Sequence, residues 1–421
     1  MKHIEPSGIN GSITAPVSKS MMQRAMIIAS LAIGKTRLWH PSIKDGVCED
    51  ISTTDCAIQD IGAKTLRSYI DGYIQIIGTR EPDYFQMDCD ESGTCMRMIT
   101  PVVSLYPNKV RLDAEGSLKK RPMKMMEVPL RELGAECSTD NGFPPIIVKG
   151  PIHGGKLKID GSKTSQFLSG LLIALPLCKE NSEIKVSNLK SRRYVEITLE
   201  VMKEFGVEIE HNAELGLFKI KGGQKYKPKK KLKINGDWSG AAFMLVAGAI
   251  AGRVNISGIK KDSQPDSVVL DILKKVGANV NTGNGIVEVT KKQLNAFEFD
   301  ATNCPDLFPP LAVLACNCKG KSVIHGTERL KHKESDRAAA LISELGNMGA
   351  DIKVVGNRME IVGKKLQGGV IVDPHNDHRI AMACAVVALT SEKGVQINDE
   401  KCVSKSYPKF FEDLEGLMVK I

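Results

Sequence analysis

The sequence predicts an α/β (α+β) protein, a two-domain inside-out α/β barrel with helices at the centre of each lobe and sheets outside. Three observations predict it. First, five helix-like stretches end in Gly followed by an apolar residue: Gly62-Ala63, Gly134-Ala135, Gly206-Val207, Gly277-Ala278 and Gly349-Ala350, at intervals of 72, 72, 71 and 72 residues. A period that regular marks one supersecondary unit used repeatedly. Second, several predicted helices, among them QFLSGLLIALPL, GAAFMLVAGAIAG and RIAMACAVVALT, are apolar on all sides and belong in the middle of a domain. Third, 421 residues exceed what one core holds, so two domains of roughly 200 residues are expected.

Each repeat reads as strand–helix–strand–helix–strand–strand. The second helix is amphipathic, as in VEITLEVMKEFG (195–206), SVVLDILKKVG (267–277) and RAAALISELGNMG (337–349). The strands are short, rich in Val and Ile, and joined by turns such as DNG, TGNG and VGN. Six repeats fit, three per lobe. The sixth is truncated at the C-terminus, and the N-terminal strand, residues 3–14, is expected to complete it. The lobes are then residues 15–234 and residues 1–14 with 235–421, divided within the basic stretch KGGQKYKPKKKLKING (221–236). The chain would cross between lobes twice, which makes a hinge, with the active site in the interdomain cleft.

Composition narrows the function. The hydrophobic fraction of 42% with 25% charged residues is ordinary for a soluble globular protein. MKHIEPSGIN has no apolar signal segment, and no apolar stretch reaches the ~18 residues needed to cross a bilayer. Eleven cysteines without a C-x-x-C pair read as reduced thiols. These features predict a cytoplasmic protein with no membrane partner. The net charge of +9 admits nucleic acid or small acidic substrates, and the run KPKKK reads as a solvated loop. Gly34-Lys35-Thr36 and Gly320-Lys321-Ser322 mimic the end of a P-loop, but each follows a helix, so each Gly reads as a C-cap. His375 and His378 lack a third ligand, and no metal is expected.

Superimposing the repeats shows two slots that gather unusual residues. The start of the buried helix holds Ser18-Lys19-Ser20 with Arg24, Ser92-Gly93-Thr94 with Arg97, Thr164-Ser165-Gln166, Asp237-Trp238-Ser239, Pro305-Asp306 and Asn376-Asp377-His378-Arg379. N-capping accounts for the hydroxyls and some aspartates. It does not account for Lys19, Arg24, Arg97, His378 and Arg379, because unpaired charge inside an apolar helix is expensive. Helix N-termini favour anions, and cations added there suit an anionic ligand. The second slot precedes the amphipathic helix. It holds Lys120-Arg121-Pro122, Ser191-Arg192-Arg193-Tyr194, Ser263-Gln264-Pro265-Asp266, Lys333-Glu334-Ser335-Asp336-Arg337 and Lys405-Ser406-Tyr407-Pro408. Five units filling one slot with Lys, Arg, Tyr or Asp point to a shared cleft rather than to surface salt pairing. Arg forks and point-charge lysines suit multiply anionic substrates. Asp306 and Glu334, beside Lys333 and Arg337, are the candidates for proton transfer.

The motifs APVSKSMMQRA, ESGTCMRM, KKRPM, TSQFLSG, SRRYVEITL, CPDLFPPLAV, HKESDR, PHNDHRIAM and KSYPKFF, in this order from about residue 11 to 412, resemble the 3-phosphoshikimate 1-carboxyvinyltransferase (EPSP synthase) family. The resemblance implies transfer of the enolpyruvyl group of phosphoenolpyruvate to the 5-hydroxyl of 3-phosphoshikimate, by addition and elimination through a tetrahedral intermediate, without metal or organic cofactor. By motif, it implies that Lys19, Gly93, Thr94, Arg97, Arg121, Gln166, Arg337, His378, Arg379 and Lys405 surround phosphoenolpyruvate. Lys19, Ser20, Arg24, Thr164, Ser165, Gln166, Ser191, Tyr194, Asp306 and Lys333 would hold 3-phosphoshikimate. Asp306 would be the base, with Glu334 and Lys19 moving protons at the methylene carbon. A monomer is expected. Met98 stands where many members have Pro, Glu91 where Asn is common, and Arg329 where some have Asn. Gly93 implies sensitivity to the phosphoenolpyruvate mimic glyphosate, and Met98 leaves that open.

Two other readings stay open on the residues alone. One is the sister transferase acting on UDP-N-acetylglucosamine, which carries Lys-Asn where this chain has Lys19-Ser20. The other is an RNA-end-processing protein on a similar repeat. Seven Tyr and two Trp offer little for base stacking, and no ATP motif is present.

Overall fold

The computed structural model describes residues 1–79 and 86–419. The chain divides into two compact units: Ser18–Lys44 with Glu49–Ile234, here the N-terminal unit, and Met1–Val17, Asp45–Cys48 and Asn235–Ile421, the C-terminal unit.

Among the described residues the N-terminal unit has six α-helices: α1 Lys19–Leu31, α2 Glu49–Asp60, α3 Gly93–Val103, α4 Glu127–Glu132, α5 Gln166–Ala174 and α6 Arg192–Glu204. The odd-numbered helices form the apolar interior, and three four-stranded sheets lie around them. In the C-terminal unit α7 Trp238–Ala251, α9 Phe308–Cys316 and α11 His378–Ala388 pack together inside. There α8 Val269–Val276, α10 Arg337–Asn347 and α12 Phe410–Leu417 are the second helices of their repeats. Both units are thus inside-out, because their most apolar segments are helices and each strand offers only one apolar face. Tyr73–Gly78 is typical: Ile74 and Ile76 are buried while Tyr73 and Gln75 are not.

All five sheets of four strands share one plan: a parallel pair extended by two antiparallel strands. In the second repeat Gln86–Asp88 runs parallel to Lys109–Asp113, followed by Phe143–Lys149 and Glu136–Asp140. The recurring glycines close the second helices in the left-handed conformation, with φ of 90° at Gly62, 97° at Gly134, 81° at Gly206, 105° at Gly277 and 96° at Gly349. A side chain at such a position is strained, which is why Gly recurs there.

The N-terminal segment departs from expectation. Only Lys2–Ile4 joins the truncated sixth repeat, antiparallel to Val395–Ile397. Ile9–Thr14 is a separate strand, parallel to Gly252–Ser257, and supplies the first strand of the fourth repeat. Glu5-Pro6-Ser7-Gly8 breaks the run, since Pro6 has no N–H to give a ladder. Leu232–Lys233 plays the same part in the first repeat, parallel to Gly34–Trp39. The amphipathic helices also begin differently from the pattern. α6 starts at Arg192, and α8 is preceded by a 3-10 turn, Pro265–Val268.

One property of the interior helices positions the chemistry. In α1, α3, α5 and α7 the residues that are not buried are confined to the first turn: Lys19, Ser20 and Met21, then Thr94, Gln166 and Ser239. Everything beyond is core.

Candidate active site

In the N-terminal unit the cap of α1 is Ser18, whose Oγ accepts from the Met21 N–H at 3.4 Å. The cap leaves Lys19 at the helix start, with Nζ 2.7 Å from Asp50 Oδ2 of α2. One turn on, Arg24 is 1% exposed. Its Nε donates to Thr198 Oγ1 and its Nη1 to the Ser20 carbonyl, both at 2.8 Å, and the guanidinium lies 5.9 Å from the Tyr194 ring centre. Among the described residues no carboxylate pairs with Arg24. Burial lowers its pKa to about 10, against the pull of Tyr194, so it is still a cation at neutral pH. A buried cation with neutral partners only is costly, and an incoming anion would relieve that cost.

A second group gathers where α3 meets α5. Ser92 caps α3, accepting from the Cys95 N–H at 3.5 Å. A Cβ on Gly93 would lie 2.9 Å from Arg121 Nη1 and 3.1 Å from Arg97 Nη1, so the glycine makes room for two guanidinium groups. Arg97 Nη1 donates to Gln166 Oε1 at 2.8 Å, and Gln166 Nε2 donates to Thr94 Oγ1 at 2.7 Å. The Gln166 N–H goes to Thr164 Oγ1 at 3.1 Å, so Thr164 and not Ser165 satisfies that end of α5. Ser191 sits before α6 at φ 55°, ψ 45° without capping it. Simple capping therefore accounts for Ser18 and Ser92 but not for the Ser165 and Ser191 side chains. Met98 is fully buried, and Glu91 accepts from Ser117 Oγ at 2.9 Å.

The C-terminal unit holds an ion-pair network on Arg337, itself 1% exposed. Nη1 lies 2.7 Å from Asp306 Oδ1, Nη2 2.7 Å from Glu334 Oε2 and Nε 2.8 Å from Asp377 Oδ2. Asp306, at 21% side-chain exposure, also meets Lys333 Nζ at 3.2 Å and Arg379 Nη2 at 3.4 Å. Asp377 caps α11 with its other oxygen, accepting from the Arg379 N–H at 3.0 Å. His378 lies buried beside it, Nδ1 3.9 Å from Asp377 Oδ1. Arg379 Nε is buried and has no hydrogen-bond partner among the described residues, which leaves an open donor. Lys405 ends the 3-10 turn Lys401–Lys405 and is buried.

The electrostatics follow from these contacts. Burial alone would push the Asp306 carboxyl up, but Arg379, Lys333 and Arg337 together outweigh it and hold it well below the usual carboxylate range. Burial likewise works against the charge on Arg337, and Asp377, Glu334 and Asp306 more than restore it. Asp266, in the turn before α8, goes the other way: burial and the neighbouring Asp306 push it up to about 7, against Arg379 and the Ser239 hydroxyl.

The structure groups Lys19, Ser20, Arg24 and Tyr194 around α1 and α6, and Gly93, Thr94, Arg97, Arg121 and Gln166 around α3 and α5. It gathers Asp306, Lys333, Glu334, Arg337 and Arg379 in the C-terminal unit. The sequence pattern left Asp50 unmarked and placed Asp377 and Asp266 in the two slots without a role. Asp50 looks like any acidic residue in the first turn of a helix. Asp377 looks like a plain N-cap, although it also holds Arg337. Asp266 stood in the second slot, and only its burial sets it apart.

Comparison with known proteins fits this geometry. Residues 4–414 match the model of the family "EPSP synthase (3-phosphoshikimate 1-carboxyvinyltransferase)". The chain is 37% identical to a 3-phosphoshikimate 1-carboxyvinyltransferase of Methanocorpusculum labreanum and 36% identical to one of Clostridium novyi, over 98% of this chain and 97% and 96% of the relatives. An EPSP synthase structure from Acinetobacter baumannii superimposes with a TM-score of 0.82 at 25% identity, covering 99% of this chain and 98% of the other. With sequence, fold and a cation-lined pair of helix-start clusters in agreement, the chain belongs to the EPSP synthase family.

Proposed function

We propose that the chain transfers the enolpyruvyl group of phosphoenolpyruvate to the 5-hydroxyl of 3-phosphoshikimate, with release of phosphate. The family match over residues 4–414 supports the reaction, and the setting of Asp306 is the observation that ties it to this chain's residues. The hydroxyl oxygen adds to C2 of the enol phosphate, phosphoenolpyruvate, while a proton is delivered to C3. Loss of that proton and expulsion of phosphate then restore the double bond. Asp306 accepts the hydroxyl proton, and Glu334 and Lys19 carry protons to and from C3.

A carboxylate held far below its usual range is a weak base. The cations that depress Asp306, Arg379, Lys333 and Arg337, are the ones assigned to substrate anions. When phosphate and carboxylate groups of the substrates engage them, their hold on Asp306 weakens and its basicity rises. Base strength then appears only in the loaded site, which protects against idle proton transfer. Arg24, with Ser20 and Tyr194, takes the phosphate of 3-phosphoshikimate, and Thr164, Ser165 and Ser191 add hydroxyls. Arg97 and Arg121, with Thr94 and Gln166, receive phosphoenolpyruvate with Arg337, Arg379, His378 and Lys405.

We place this chemistry in the cytoplasm of the cell, as a monomer. Eleven unbridged thiols, ten of them buried, suit a reducing compartment, and no step needs a residue from a second copy. No described helix is long and apolar enough to cross a membrane. The test is phosphate release: it is expected with phosphoenolpyruvate and 3-phosphoshikimate together and with neither alone. Release with UDP-N-acetylglucosamine as acceptor instead would overturn the assignment.

A further inference from the structure

Asp266 has no role in the reaction as assigned, yet its setting is unusual. It lies in the turn Pro265–Val268 and is 1% exposed. One oxygen, Oδ2, accepts a hydrogen bond from Ser239 Oγ in the first turn of α7. The other, Oδ1, is buried with no hydrogen-bond partner among the described residues. The preceding Gln264 fixes the turn: its Nε2 donates to the Gly236 carbonyl at 2.9 Å, and its Oε1 accepts from the Trp238 N–H at 3.3 Å. The charged groups acting on Asp266 are Asp237 from the cap of α7, Asp306 from the turn before α9 and Arg379 from α11. Asp271, Lys274 and Lys275 of α8 are exposed. A bare carboxylate oxygen in such a place is costly, whereas a protonated carboxyl can give its proton to the Ser239 contact.

Two carboxyls thus share one neighbourhood and are driven apart. Asp306 touches three cations. Asp266 is acted on by two like charges and one cation, Arg379, which Asp306 also claims. Pairs separated in this way mark different protonation roles. We propose that Asp266 is a positioning residue that carries a proton in the working enzyme, leaving the charge of Arg379 to Asp306 and to the anionic substrate. When Asp266 ionises it competes for that guanidinium, and affinity for phosphoenolpyruvate falls. The inference rests on the assignment of Arg379 to phosphoenolpyruvate.

The test compares the wild type with Asp266→Asn, which keeps the shape but cannot ionise. KM for phosphoenolpyruvate is measured from about pH 6 to about pH 9, a span that brackets a carboxyl raised to neutrality. The ratio of wild-type KM to variant KM is expected to rise about tenfold across it, with no matching change in the ratio of kcat values. Ser239→Ala removes a hydroxyl that favours the ionised form, so its KM inflection moves to higher pH. Carbon-13 NMR of aspartate-labelled, ligand-free wild type should show a carboxyl titrating near neutrality that Asp266→Asn lacks. Phosphate release with a KM ratio constant in pH, or an Asp266 already ionised at the acid end, overturns this inference alone. No phosphate release by the wild type overturns the functional reading and this inference with it.

Discussion

Arg337 Nη1 lies 2.7 Å from Asp306 Oδ1, and the same buried guanidinium reaches Glu334 and Asp377 with its other nitrogens. One cation thus holds two proposed proton carriers and the cap of α11 in register. Replacing it by Arg337→Met leaves three carboxylates without their shared counter-ion. Loss of about 3–5 kcal/mol of stability is expected, as for any broken buried pair. Denaturant unfolding reads this directly. Arg337→Lys should rescue little, because a single ammonium cannot span three acceptors.

Arg24 makes the opposite prediction. It is buried against hydroxyls, a carbonyl and a ring, with no carboxylate partner among the described residues. Arg24→Met should leave the ligand-free protein as stable or more so, because an uncompensated charge is removed. KM for 3-phosphoshikimate should rise by about a hundredfold, the size expected for a charge-assisted contact to a phosphate. A melting temperature and a saturation curve on one preparation decide it. Reduced stability with unchanged KM would make Arg24 structural.

Gly93→Ala adds a methyl 2.9 Å from Arg121 Nη1 and 3.1 Å from Arg97 Nη1. Both neighbours are the ends of flexible side chains, so the fold should tolerate it. The guanidinium groups must shift, and a displacement of under an ångström at a binding site costs roughly tenfold or more. KM for phosphoenolpyruvate should rise by that factor while the melting temperature holds. Bulky analogues of phosphoenolpyruvate should lose more, since the methyl takes space as well.

Stability should depend on pH with two opposed signs. Asp266, raised from 3.8 to about 7, contributes stability that is complete below the lower value and is lost as pH climbs to the upper one. Asp306, held below 3.8, contributes stability that is present above that value and is lost as acid protonates it. Asp266→Asn should therefore gain on the wild type between about pH 4 and about pH 7, by on the order of a few kcal/mol, and hold that gain above. Thermal melts across this window give the curve. A gain that instead grows towards acid would reverse the assignment of the proton.

Gly62, Gly134, Gly206, Gly277 and Gly349 were legible because a left-handed residue after a helix is a local demand that Gly meets. The interior helices were legible because an all-apolar helix has only one place to go. The partner of Ile9–Thr14 was not, because a strand's own residues do not name a mate hundreds of positions away. The same division runs through the site. Arg24, Arg97 and Arg379 stood out as charges where the local pattern wants none. Asp50, Asp266 and Asp377 did not, since an acidic residue at a helix start is ordinary and only burial and neighbours show otherwise.

The borrowed strands have a consequence for how the chain is made. Ile9–Thr14 leaves the ribosome well before its partner, since Gly252–Ser257 follows 243 residues later. Through that interval Ile9 and Ile13 sit on a strand with an open edge, which invites pairing with another nascent chain or capture by a chaperone. The N-terminal unit can finish its first sheet once Lys233 is made, whereas the C-terminal unit must wait for Ile397 to pair its opening strand. Ile9 also bridges to Met418, so two residues far apart in the chain meet in one place. A rearranged gene that encodes residues 1–17 after the C-terminal unit would translate each strand in the half where it is used and should shorten the wait.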